Sequence, residues 1–121
     1  MHMVQETFAN HLAEEWVAAW NAHDIDAIMS HYDDDISFQS PVIIQVNNDP
    51  SGTINTKVAL EDYFVRALKL YPDLHFELYK VLTSVNSVVL YYKTINNMLT
   101  AEYMELNEYG KVIKVRAHYS K

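Results

Sequence analysis

Residues 16–32 read Trp16-Val17-Ala18-Ala19-Trp20-Asn21-Ala22-His23-Asp24-Ile25-Asp26-Ala27-Ile28-Met29-Ser30-His31-Tyr32, two tryptophans four apart, then a polar break, then a second apolar run. Upstream, Phe8 and Leu12 continue the steps of three and four through Trp16, Ala19 and Trp20, which puts these side chains on one face of a helix. Asn21-Ala22-His23 interrupts the pattern. Asp24 offers the short acceptor side chain that caps a second helix, and Ile25, Ile28, Met29 and Tyr32 form its apolar stripe. Asp33-Asp34-Asp35 comes next. Three adjacent carboxylates repel one another and require water, so a solvated turn is expected there.

Beyond that turn, Ile36-Ser37-Phe38-Gln39-Ser40 alternates as a strand does and ends at Pro41. Val42–Val46 is a short apolar segment, and Asn47-Asn48-Asp49-Pro50-Ser51-Gly52 has the composition of a turn. Thr56 is placed to cap a third helix carrying Leu60, Tyr63, Phe64, Ala67, Leu68 and Tyr71, with Pro72 stopping it. The remainder reads as strands over 74–82, 85–95, 98–106 and 111–119. Asn96-Asn97 and Asn107-Glu108-Tyr109-Gly110 supply the turns, because Asn and Gly tolerate positive φ. Helices segregated in the first half, followed by a meander, predict an α+β fold. The expectation is a cone-shaped fold in which a strongly curved, mostly antiparallel sheet packs against three N-terminal-half helices.

The 121 residues suit a single domain spanning 1–121, without repeats or a linker. Sixteen acidic and nine basic residues leave a net charge of −7, which argues against a general nucleic-acid-binding face. There is no cysteine, so disulfides, thiolate nucleophiles and cysteine-ligated metals are excluded. Met1-His2-Met3-Val4-Gln5-Glu6 lacks the basic and apolar regions of a secretory leader, and no apolar run approaches the roughly 20 residues that span a bilayer. A cytoplasmic protein with no membrane partner is expected.

Residues 16–32, together with Asp34-Asp35-Ile36-Ser37-Phe38-Gln39-Ser40-Pro41, Asn107-Glu108-Tyr109-Gly110-Lys111-Val112-Ile113 and Ala117-His118-Tyr119, resemble the nuclear transport factor 2-like superfamily. The closest likeness is to its SnoaL-like polyketide-cyclase and ketosteroid-isomerase branch. The resemblance covers nearly the whole chain. It implies the cone fold and a pocket inside it, while the branch itself spans isomerases, cyclases, hydrolases, dehydratases and non-catalytic binders. In the isomerases a carboxylate base stands just before the proline that ends the first strand, and here that position is Ser40. Their tyrosine donor falls at Trp16, and their protonated acid falls at Glu102. The chain thus keeps an acid, exchanges one donor for an indole, and replaces the base with a hydroxyl.

The residues themselves point to the same position. Strand alternation puts Met98, Thr100, Glu102, Met104 and Leu106 on one face, so Glu102 is a carboxyl among apolar neighbours and a candidate acid or base. Ser40 is the second candidate catalytic residue. Trp16, Trp20, Tyr32, Phe38, Tyr63, Phe64, Met98 and Met104 are expected to line an apolar, substrate-binding pocket. In the last strand Ile113, Val115, Ala117 and Tyr119 form the more apolar set, which turns His118 outward beside Lys114 and Arg116. No metal-ligand spacing and no glycine-rich phosphate loop occurs, so neither metal nor cofactor is expected.

Three readings follow: an acid-base enzyme of isomerase or cyclase type acting on a small lipophilic substrate, a non-catalytic ligand-binding module, and a dimerising interaction domain with a filled cone. The sheet's outer face, with Tyr91, Tyr103, Glu105, Arg116 and His118, is expected to pair two copies as a homodimer.

Overall fold

The computed structural model describes residues 3–120; Met1, His2 and Lys121, and with them part of the leader reading, lie outside the described residues. The first helix, α1, spans Glu6–Asn21 and buries Ala9, Leu12, Ala13, Trp16, Ala19 and Trp20 along one stripe. Phe8 does not belong to that stripe. It stays 43% exposed and leans on Gly110, where an added Cβ would come within 2.9 Å of its ring.

α1 ends in paired reverse hydrogen bonds, from the His23 N–H to the Trp20 carbonyl and from the Asp24 N–H to the Ala19 carbonyl. This closure needs a left-handed residue, and His23 (φ 54°) occupies the place that glycine usually takes. Its Nε2–H donates to the Leu74 carbonyl at 2.9 Å, which helps offset the backbone cost. Next to it, the Asn21 side chain donates to the Phe76 carbonyl (3.0 Å) and accepts from the Phe76 N–H (2.7 Å). Together Asn21 and His23 tie the segment 74–76 to the end of α1.

Asp24 caps α2 (Ile25–Met29) by accepting from the Ala27 N–H. This helix is shorter than its apolar stripe suggested. Tyr32 begins β1 (Tyr32–Gln39) instead, and Asp33-Asp34-Asp35 belongs to that strand rather than to a turn. The carboxylates are accommodated by a bulge: Tyr32 pairs with Val112 and Ser37 with Lys114, so residues 33–36 lie against the single Ile113. Asp34 and Asp35 face water, while Tyr32 and Ile36 stay buried.

Val42–Val46 also departs from expectation. Pro41–Val46 is a helix, α3, with Ser40 accepting from the Val42 N–H and proline in the first turn. Pro41 therefore starts a helix as well as ending a strand. Four helices, not three, precede the meander. β2 (Thr53–Ile54) pairs with β1, and α4 (Lys57–Leu70) is capped by Thr56, with Leu60, Tyr63, Phe64 and Ala67 buried.

β3 (Glu77–Thr83), β4 (Ser87–Lys93), β5 (Leu99–Leu106) and β6 (Val112–Ser120) complete a sheet of order β2-β1-β6-β5-β4-β3. Only the β1–β6 pair is parallel. The sheet is open-edged and not strongly curled, which corrects the strong curvature expected from sequence. Asn96 and Asn97 both adopt positive φ in the β4–β5 connection, as their turn role requires. A bulge between β5 and β6 leaves Ile113 without a partner. Val112 therefore joins Val115 and Ala117 in the buried row, and Ile113 is only half-buried.

The clamp at Asn21 yields the first prediction. Asn21→Ala removes both hydrogen bonds and leaves the Phe76 N–H without a partner, so urea unfolding should show a loss of about 1–3 kcal/mol with an unchanged denaturant slope.

Candidate functional site

The inner face of the sheet is built in rows. Register places Tyr92, Thr100 and Tyr119 side by side across β4, β5 and β6; Leu90, Glu102 and Ala117 form the next row; Val88, Met104 and Val115 form the one after. A row of hydroxyls thus borders a row holding one carboxyl, and wholly apolar side chains lie beyond. Glu102 is 3% exposed.

Tyr92 reaches diagonally from the hydroxyl row and donates its O–H to Glu102 Oε1 at 2.5 Å. Oε2 takes no hydrogen bond from the described residues and is not sealed off, and Glu102 forms part of a cavity wall. Burial pushes the Glu102 carboxyl up to about 7 against the opposing pull of the Tyr92 hydrogen bond. Near neutral pH it therefore exists as both acid and carboxylate.

The tyrosines behave differently. Burial first, and the Glu102 charge second, raise Tyr32, Tyr92 and Tyr119; at Tyr63 burial leads, followed by Tyr119 and then Glu102. All four keep their protons and remain hydrogen-bond donors at neutral pH.

The cavity has a volume of about 70 Å³, lined by aromatic rings from α1, α4 and the sheet. Trp16 stacks on Phe76 with centroids 5.3 Å apart, and Phe76 lies 4.7 Å from Tyr92. Trp20 and Phe64 meet edge to face at 4.7 Å, with Phe38 a further 5.4 Å from Phe64. The half-buried side chains Val42, Tyr71, Ile95 and Met98 mark the mouth. The space has room for several waters and opens to solvent at that mouth, so a ring-sized guest would extend out through it.

Of the residues expected at the site, Glu102, Ser40, Trp16, Trp20, Phe38, Tyr63, Phe64 and Met98 line this cavity. Tyr32 and Met104 do not; both are packed behind it. The Trp16 indole N–H donates to the Tyr32 hydroxyl at 3.0 Å, so it is committed within the core and is not free for a ligand. Trp20 Nε1 lies beside the same hydroxyl and helps lower its pKa, but completes no hydrogen bond of its own.

Ser40 Oγ accepts from the Val42 N–H and donates weakly to the Tyr119 hydroxyl at 3.4 Å, which makes it a helix cap that steadies Tyr119. His118 is exposed and turned away from the cavity, as alternation implied. Tyr92, Tyr119 and Phe76 were not assigned to the pocket from sequence. The alternation Val88, Leu90, Tyr92 carried the signal for Tyr92, and Tyr119 already stood in the inward set of its strand. Among the described residues, no group of three or more His, Cys, Asp or Glu side chains is placed to hold a metal ion, and no helix is long and apolar enough to cross a membrane.

Comparison with known proteins places this geometry in a class. The SnoaL-like domain family matches residues 13–116, and the chain belongs to it. A crystal structure of a SnoaL-like protein of unknown function from Burkholderia thailandensis is 38% identical, covers 99% of this chain and 100% of its own, and superposes with a TM-score of 0.95. Two more distant structures share the fold. One is an NTF2-like protein from Cytophaga hutchinsonii (15% identity, 97% and 93% coverage, TM-score 0.73). The other is a candidate isomerase of the SnoaL-like family from Agrobacterium tumefaciens (14% identity, 95% and 99% coverage, TM-score 0.76). The nuclear transport factor 2-like cone is thereby the fold of this chain. No curated protein matches it.

The buried acid generates a pH prediction. A carboxyl raised from 4.5 to about 7 binds its proton more tightly in the folded state. Its contribution is complete below the unfolded value and is lost as pH rises through the folded one. Wild-type stability should fall by about 3 kcal/mol across that window. Glu102→Gln should remove most of the fall and be the more stable protein at pH 8, as read by thermal unfolding across pH.

Proposed function

We propose that this domain is an acid-base enzyme of isomerase or cyclase type, in which Glu102 carries a proton between two positions of a small lipophilic substrate. The observation that carries the reading is the division of labour at one carboxyl on the cavity wall: Oε1 is fixed by Tyr92, while Oε2 has no hydrogen-bond partner among the described residues. A carboxylate so placed takes a proton from a carbon acidified by a neighbouring C=O or C=N group, and the resulting acid returns it elsewhere on the same molecule. The Tyr119 and Tyr63 hydroxyls are the nearby donors for the charge that develops on a carbonyl oxygen. Ser40, standing where related isomerases carry their base, supports Tyr119 rather than replacing that base. The candidate isomerase among the structural neighbours accords with this reading.

The test is deuterium exchange from heavy water into a panel of small cyclic ketones and cyclic imines, followed by NMR. Wild-type protein should catalyse exchange into at least one member, and Glu102→Gln should lower that rate about 100-fold or more. Tyr92→Phe, which keeps the acid, should lose less. Exchange unaffected by Glu102→Gln contradicts the proposal.

The outer sheet face supports a homodimer. Val89 pairs with Tyr103 and Tyr91 with Ala101, giving a half-exposed apolar centre beside Lys114, Arg116 and His118 on β6. Exposed Tyr79 and Leu82 extend it along β3. A second copy covers this face best, since like surfaces meet across a two-fold axis. Sedimentation should give twice the chain mass, and the double change Tyr91→Glu, Tyr103→Glu should give the single-chain mass with the fold intact.

A further inference from the structure

A buried carboxyl is ordinarily matched by a basic side chain or by several donors. Among the described residues Glu102 has one donor and no base. The groups that face it are the hydroxyls of Tyr92 on β4, Tyr119 on β6, Tyr32 on β1 and Tyr63 on α4, and the cavity wall from α1 is made of the Trp16 and Trp20 rings. Among the described residues no lysine, arginine or histidine lines the cavity, although the chain has nine Lys and Arg and six His. The counter-charge that a Glu102 carboxylate needs is missing from the protein side.

Aromatic walls are the other half of the observation. Trp16, Trp20, Phe38, Phe64, Phe76 and Tyr92 surround the space, and rings attract a cation through their quadrupoles, most strongly where water is excluded. Rings and a carboxylate in a protein of net charge −7 favour a positive guest and disfavour a carboxylate or phosphate.

We propose that the substrate of this cavity is a small organic cation, a protonated amine or iminium, whose charged nitrogen sits at Glu102 Oε2 and whose carbon skeleton lies among the rings. The inference rests on the reading of the Glu102 cavity as the active site and adds the class of substrate. It also fits the chemistry. When the Glu102 carboxylate takes a proton from the carbon beside C=N⁺, the C–H pair becomes the new C=C bond and the C=N π pair moves to nitrogen. An ion pair becomes a neutral acid and a neutral enamine, so no anion is left in a cavity that has no cationic side chain to hold it.

Benzylamine, benzyl alcohol and benzaldehyde are matched probes that differ mainly in charge. Their affinities, by thermal shift and calorimetry, should separate as follows. Benzylamine should bind at least about tenfold more tightly than benzyl alcohol at about pH 8. Its affinity should rise as pH increases from about 5 to about 8, because it needs the Glu102 carboxylate. Glu102→Gln should remove that preference and the pH dependence with it. Benzylamine binding no better than the alcohol, or unaltered by Glu102→Gln, overturns the cation assignment. If only benzyl alcohol or benzaldehyde binds, and binds more weakly as pH rises, the substrate is neutral and the acid-base reading stands. If no probe binds and no panel compound exchanges deuterium, both fall together.

Discussion

A carboxyl held out of water by aromatic rings, with a single tyrosine hydroxyl to satisfy it, is the constraint around which this structure is arranged. Left unmatched, a buried charge costs several kcal/mol, and the group responds by holding its proton. The Tyr92 hydrogen bond limits that response, and Glu102 comes to rest about 7. Moving Glu102 by one residue along β5 would turn it to the outer face, where water would return it to ordinary behaviour. The β4–β5–β6 register, with the hydroxyl row of Tyr92, Thr100 and Tyr119 on one side of Leu90, Glu102 and Ala117 and the apolar row of Val88, Met104 and Val115 on the other, is therefore what holds the acid out of water.

The helices serve the same end. α1 brings Trp16 and Trp20 over the sheet, and its C-terminal closure at His23 and Asn21 holds the segment that delivers Leu74 and Phe76 to the cavity wall. α3 contributes Val42 at the mouth, and its cap residue Ser40 touches Tyr119. The cavity wall is thus assembled from parts distant in sequence, each fixed by backbone hydrogen bonds that do not depend on a ligand. That rigidity suits the proposed function, in which a carboxyl is kept in place while protons move.

Much of this was readable in the chain. Period-two alternation over 98–106 identified Glu102 as a carboxyl among apolar neighbours, and the three-and-four spacing from Leu12 to Trp20 identified the apolar face of α1 that carries Trp16 and Trp20. The misreadings share a cause, which is that local composition was outweighed by tertiary context. Asp33-Asp34-Asp35 looks like a solvated turn, yet a bulge against Ile113 lets a strand carry it. Pro41 looks like the end of a strand, and it is also the start of α3. The pairing of Tyr92 with Glu102 depends on a diagonal contact between neighbouring strands, which no single stretch of sequence displays. The commitment of the Trp16 N–H to Tyr32 is likewise a contact between elements sixteen residues apart.

Ser40 marks where this member of the SnoaL-like family parts from an arrangement with two carboxyls. With a hydroxyl at that position, the proposed function asks one residue to act as both acid and base, and that proposal turns on whether Glu102 exchanges its proton near neutral pH. Carbon NMR of the Glu102 side-chain carboxyl, followed through a pH titration of the folded protein, measures this directly. The midpoint is expected at about 7, well above the ordinary 4.5. A midpoint at the ordinary value would mean that the carboxyl is solvated and that the site has no acid to offer.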